Sequence, residues 1–158
     1  MTGDLTWCTA TDLARRIADG ELSAAAALEA TLARLAATEP SFHAFVTVLA
    51  DSARREAQQA DARRSRGETL GPLHGVPVSV KDLIAVGGAP FTLGSRSMAH
   101  NVAPADAVAV ERLRKAGAII RIYDPTAGTG GMLMSATDES DGGGMDDAQL
   151  RDEVMTLF

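Results

Sequence analysis

Two stretches carry residues able to do chemistry. The first is VSVKD, in which Lys81 ends an alternating apolar run that begins at Val76. The chain has only two lysines, Lys81 and Lys115, against thirteen arginines, so a simple surface cation is ordinarily supplied here by arginine. An ammonium at the end of a buried strand, flanked by Val80 and Leu83, is expected to be desolvated. Desolvation lowers a lysine's pKa and lets it accept a proton, which arginine does not do. The alternative is a lysine that snorkels to water or pairs with Asp82. The second stretch is YDPTAGTGGML, Tyr123 to Leu133, a glycine-rich turn after the apolar AGAII. Backbone N–H groups approach a cofactor or phosphate closely where no Cβ intervenes.

The elements that must hold these residues follow from capping and periodicity. In TATDLARRIADGELS, Thr11 or Asp12 caps a short helix carrying Leu13 and Ile17, with Gly20 as its stop. Ser23 caps a second helix, striped by Leu28, Leu32 and Leu35 and ending before Pro40. A third, DSARREAQQADARRSRG, has a wide polar face, is expected on the surface and closes at Gly67. Val76, Val78 and Val80 alternate as a strand ending at Lys81. Asp106 is expected to cap a helix with Val108 and Leu113 in the core and Gly117 as the stop, and AIIRIY forms a second strand. Strand, helix-bearing connection and strand imply a parallel pair, hence the α/β class. Beyond it lie an acidic, glycine-rich loop and a terminal helix capped by Asp146 or Asp147.

Composition bounds the possibilities. The chain has 158 residues, 46% of them hydrophobic and 23% charged, which fits a soluble globular domain with a sizeable core. Up to Ile120 there are 13 acids and 13 bases, whereas Arg121 to Phe158 hold 8 acids and 2 bases, so the whole net charge of −6 belongs to the tail. That division marks two regions, 1–120 and 121–158. An acidic tail and a neutral body offer no electrostatic footprint for nucleic acid. The lone Cys8 argues for a reducing, cytoplasmic setting. No apolar run approaches the ~18 residues of a membrane span, and MTGDLTW lacks a signal peptide's basic start and apolar stretch. His43, His74 and His100 are too scattered for a metal site and are expected in packing or surface roles, as are Trp7 and Tyr123. No metal or cofactor is expected.

Three resemblances follow. GPLHGVPVSVKDLIAVGGAP, TLGSRSM and NVAPADAVAVERLRKAGAII, with the helices before them, resemble the N-terminal part of the amidase signature family over about residues 8–120. That family hydrolyses carbon–nitrogen amide bonds and includes one component of the tRNA-dependent amidotransferases. The resemblance implies helices followed by a partial mixed or parallel sheet, with Lys81 matching the lysine that works as base beside a serine nucleophile and a second serine on a cis peptide bond. The family's paired serines between paired glycines do not occur here, and Ser79, Ser95, Ser97, Ser135 and Ser140 lie at other positions. Phe91 stands where the family more often has a small polar residue. The expectation is therefore a truncated amidase-type fragment, inactive alone, acting on a small amide only if another chain completes it, and prone to self-association through unpaired strands.

AIIRIYDPTAGTGGML resembles the first motif of adenine-specific DNA methyltransferases, which implies that Asp124, Gly128, Gly130 and Gly131 would hold S-adenosylmethionine. The catalytic Asn or Asp followed by two prolines and an aromatic is absent. DGGGMDDAQLRDEVMTLF resembles the start of the long central helix of haem-thiolate monooxygenases, without a haem-ligand cysteine motif. Together these imply a composite chain, with an S-adenosylmethionine-binding fragment or a chain of no evolved function as the alternatives to an amidase fragment.

Overall fold

The computed structural model describes residues 5–42 and 44–124. Their elements are α1 (Ala10–Ala18), α2 (Ala24–Phe42), β1 (Thr47–Val48), α3 (Ala50–Ser65), β2 (Pro77–Lys81), α4 (Val108–Lys115) and β3 (Ile119–Asp124). β3 is central in the sheet order β1-β3-β2. It pairs in parallel with β2 from Pro77↔Ile119 to Lys81↔Asp124 and antiparallel with β1 at Thr47↔Tyr123. The expected parallel β–α–β unit and a mixed sheet are therefore present.

Helices cover both faces of this sheet. On one side Leu13, Ile17, Ala27 and Leu28 of α1 and α2 pack with Ala53, Ala57 and Ala60 of α3 against Val76 and Ile119. On the other, Val80 and Ile120 pack with Val86, Ala89 and Val110 of α4. Consecutive residues of a strand point to opposite faces, which is why Ile119 and Ile120 serve different cores. Val76, which precedes β2, does not share one core with Val78 and Val80. Val76 and Val80 lie in opposite clusters, Val78 touches both, and the ladder shifts register between Val78 and Ser79.

Local chemistry corrects several boundaries. Thr9, not Thr11 or Asp12, caps α1: its extended backbone lets its hydroxyl accept from the Asp12 N–H at 3.1 Å. Asp12 is thus free to pair with Arg15 at 3.0 Å. Ser23 does cap α2, accepting from the Ala26 N–H at 3.0 Å, and Asp61 of α3 reaches across to accept from the Ala24 and Ala25 N–H groups at 2.8 and 3.1 Å. α2 runs through Pro40 rather than ending before it. The ring sits in the last turn, and the Glu39 carboxylate holds the exit by accepting from the Ala44 and Phe45 N–H groups.

α3 presents its polar residues to solvent as expected, but its alanine stripe is fully enclosed, because alanines let α2 and α3 approach closely. The α4 cap is Ala107, with no side-chain bond. Asp106 instead accepts from the Gly87 N–H at 2.7 Å and from Arg114 Nε at 2.9 Å, tying the long connection to the helix. Val108 is exposed and Val110 is the core residue, one helical register away from the expectation. Gly20, Gly67 and Gly117 all take left-handed φ at the helix ends where stops were expected.

Candidate active site

Lys81 closes β2 at the carboxyl end of the parallel pair, in register with Asp124 at the end of β3. The carboxyl ends of strands in open α/β sheets are where ligand sites gather, because the connections leaving them are free to carry function. Lys81 is half-buried. Its carbonyl accepts from the Ile84 N–H at 2.8 Å, so the chain turns sharply as soon as the strand ends.

The neighbouring Asp82 is fully buried. Its Oδ1 accepts from the Thr92 N–H at 2.8 Å. Its Oδ2 accepts from the Thr92 hydroxyl and from the Gly94 N–H, the latter at 3.0 Å. Between those anchors Leu93 has φ +54, a left-handed conformation that side chains rarely adopt. Sequence reasoning treated Asp82 only as a possible partner for Lys81. No local signal links it to Thr92 ten residues on, since their meeting requires the whole turn to fold.

The rest of the connection to α4 is equally built. Phe91 N–H donates to the Asn101 carbonyl at 2.9 Å, Asn101 Nδ2 donates back to the Phe91 carbonyl at 2.8 Å, and Gly88 and Ala103 are tied at 2.9 Å. Phe91 packs against the cluster around Val110, a core role rather than a polar one. Ser95 and Ser97 share a hydrogen bond between their hydroxyls at 2.8 Å on the exposed lip that follows Gly94. Ser79 is on β2, two residues before Lys81.

Other candidates separate from this site. His74 is buried and its Nε2 meets the Ala60 carbonyl at 3.0 Å, the packing role expected of it. Trp7 is exposed with the Arg34 guanidinium 5.5 Å from its ring centroid. A cleft lined by Glu56, His74 and Arg114 opens at the amino end of β3, the opposite end of the sheet from Lys81. Its charged groups are paired: Arg114 with Glu56 at 3.0 Å and with Asp106 at 2.9 Å, and Arg63 with Glu68 at 2.9 Å. Among the described residues no three His, Cys, Asp or Glu side chains group to hold a metal, and no helix is long and apolar enough to cross a membrane. Gly128, Gly130 and Gly131, His43 and the stretch expected to form a terminal helix lie outside the described residues.

Comparison with known proteins centres on the same region. Residues 26–123 match the Amidase family. A Rhodococcus erythropolis acylamidase is 42% identical over 116 residues, covering 73% of this chain and 24% of the relative. A glutamyl-tRNA(Gln) amidotransferase chain of Symbiobacterium thermophilum is 49% identical over 113 residues, covering 71% of this chain and 23% of its own. The native peptide amidase of Stenotrophomonas maltophilia superposes with a TM-score of 0.68 at 34% identity, over 73% of this chain and 24% of that one. The chain thus spans about a quarter of the length of the curated relatives it matches. With α3, β2, α4, the Lys81 turn and all but the last residue of β3 inside the matched span, the chain belongs to the Amidase family.

Proposed function

We propose that this chain contributes the base of an amide-hydrolysing site, with Lys81 taking the proton of a serine hydroxyl supplied by a second chain. The observation that carries the reading is the placement of Lys81. It stands half-buried at the carboxyl end of β2, beside a connection hydrogen-bonded along its length, within the span that matches amidases. Ligand sites of open α/β sheets gather at that end, and a base carried on a strand terminus there is held close to where a substrate would be bound. The reaction is the cleavage of a carbon–nitrogen amide bond in a small substrate. The serine attacks the carbonyl once its proton is accepted, the C–N bond breaks as the amine leaves with that proton, and water then hydrolyses the acyl-serine ester to release the acid and restore the hydroxyl. Alone, the chain holds the base without the paired-serine run, so it is expected to be inactive.

Release of amine from a small amide tests this, measured for the purified chain alone and mixed with the serine-bearing remainder of a relative such as the Rhodococcus acylamidase. Hydrolysis is expected only in the mixture and is expected to vanish with Lys81→Met. Undiminished hydrolysis by the Lys81→Met mixture would remove Lys81 from the mechanism.

The S-adenosylmethionine reading of Asp124–Gly131, and with it a composite origin for the tail beyond the Amidase match at residue 123, is supported by sequence resemblance alone. Calorimetry with the cofactor decides it, and absence of heat at high protein concentration would leave the turn an ordinary loop.

A further inference from the structure

We infer that Asp82 is a positioning residue for Lys81, acting through a clasp with Thr92 and Gly94; the inference rests on Lys81 being the base. Asp82 follows Lys81 directly, with adjacent Cα atoms about 3.8 Å apart, so immobilising Asp82 restricts the backbone from which the Lys81 side chain departs. Asp82 is immobilised from three sides: Thr92 N–H, Thr92 hydroxyl and Gly94 N–H all donate to its carboxylate. It is also 0% exposed, so no water competes for those bonds.

The clasp has a cost that only a demanding position repays. It encloses a carboxylate, and it holds Leu93 at φ +54 between its two anchors. Lys81 itself is held on its other side by the β3 ladder, through Val80↔Tyr123 and Lys81↔Asp124, and by the Ile84 N–H on its carbonyl. The ladder sets the height of Lys81 on the sheet, and the clasp sets its outward angle. The clasp also brings the Ser95–Ser97 lip, which directly follows Gly94, to the same end of the sheet as the lysine.

The presence of only two lysines makes the inference measurable without turnover. The full chain, carrying lysine labelled with 13C at Cε, yields two Hε–Cε cross-peaks, and Lys115, whose side chain is 79% exposed on α4, serves as the internal reference. Thr92→Val keeps the shape of the side chain and deletes one bond of the clasp. It is expected to displace the Lys81 peak by more than its linewidth while leaving the Lys115 peak in place. Thr92→Ser, which restores the hydroxyl, is expected to return it, and Asp82→Asn to move it further. In the complemented assay, Asp82→Asn is expected to lower kcat by about 100-fold with little change in KM, the signature of a misplaced group rather than lost binding.

A Lys81 peak unmoved in folded Thr92→Val and Asp82→Asn overturns the inference, whatever the hydrolysis assay reports. Loss of the folded Lys115 peak in Thr92→Val overturns it too, because the clasp would then be a prop for the whole domain. Hydrolysis that survives Lys81→Met overturns the proposed function instead, and the displacement of the peak still decides what Asp82 does.

Discussion

Replacing Gly117 by alanine separates two costs that a helix stop combines. Gly117 has φ +89, and a Cβ there would lie 2.9 Å from the His74 Cα and 3.3 Å from the His74 N. His74 has nowhere to retreat, being buried with its Nε2 on the Ala60 carbonyl and its own N–H on the Gly71 carbonyl. The backbone at Gly117 is equally tied, accepting from the Gly75 N–H at 3.0 Å. Gly67 has a comparable φ of +69 and nothing within 4 Å of its would-be Cβ. Left-handed alanine costs about 1–2 kcal/mol at either position, offset by about 0.4–1 kcal/mol from the stiffer unfolded chain. Gly67→Ala is therefore expected to destabilise by about 1 kcal/mol or less. Gly117→Ala adds a backbone clash of about 1–3 kcal/mol, for a total near 1–4 kcal/mol. Urea unfolding of both variants measures this as a fall in midpoint at unchanged slope. Equal losses in the two variants would refute the contact and leave only the conformational term.

Further outcomes follow from the ties between elements. Asp61→Ala removes the acceptor for two N–H groups at the start of α2 and should lower stability by about 1–2 kcal/mol, read by thermal melting; an unchanged midpoint would show that Ser23 suffices as the cap. The hydrogen bonds from Arg54 hold the Glu29 carboxyl below its ordinary pKa, so this pair stabilises the fold above about pH 4.3, the unfolded glutamate value, and the benefit is lost as pH falls through the lower folded value. Glu29→Gln should consequently show a shallower loss of stability between neutral and acid pH, and an identical pH profile would refute the pairing. Among the described residues β2 lies at an edge of the sheet, so the chain should associate with itself as concentration rises, and a monodisperse monomer in sedimentation would contradict that.

The elements themselves were legible because their signals are local. Ser23 and the stripe of Leu28, Leu32 and Leu35 read as a helix, of which Leu28 and Leu32 are buried and Leu35 only partly so, and glycine at 20, 67 and 117 stops three helices by a left-handed φ that few other residues tolerate. β2 and β3 were read from their apolar runs. β1 was not, since a two-residue strand has no periodicity and exists only through its pairing with β3. Asp106 misled for a related reason: it has the chemistry of a cap, and the nearness of Gly87 and Arg114 drew it elsewhere.

Residue types and spacing by themselves thus determined the α/β class, the end of β2 at Lys81 and the resemblance to amidases, all properties of short contiguous stretches. Only the tertiary structure decided that Asp82 is enclosed by Thr92 and Gly94, that α3 buries its alanines, and that Val76 and Val80 belong to opposite cores. Those outcomes depend on which distant groups reach one another when the chain closes, and a buried carboxylate binds whichever donors the completed fold brings within reach.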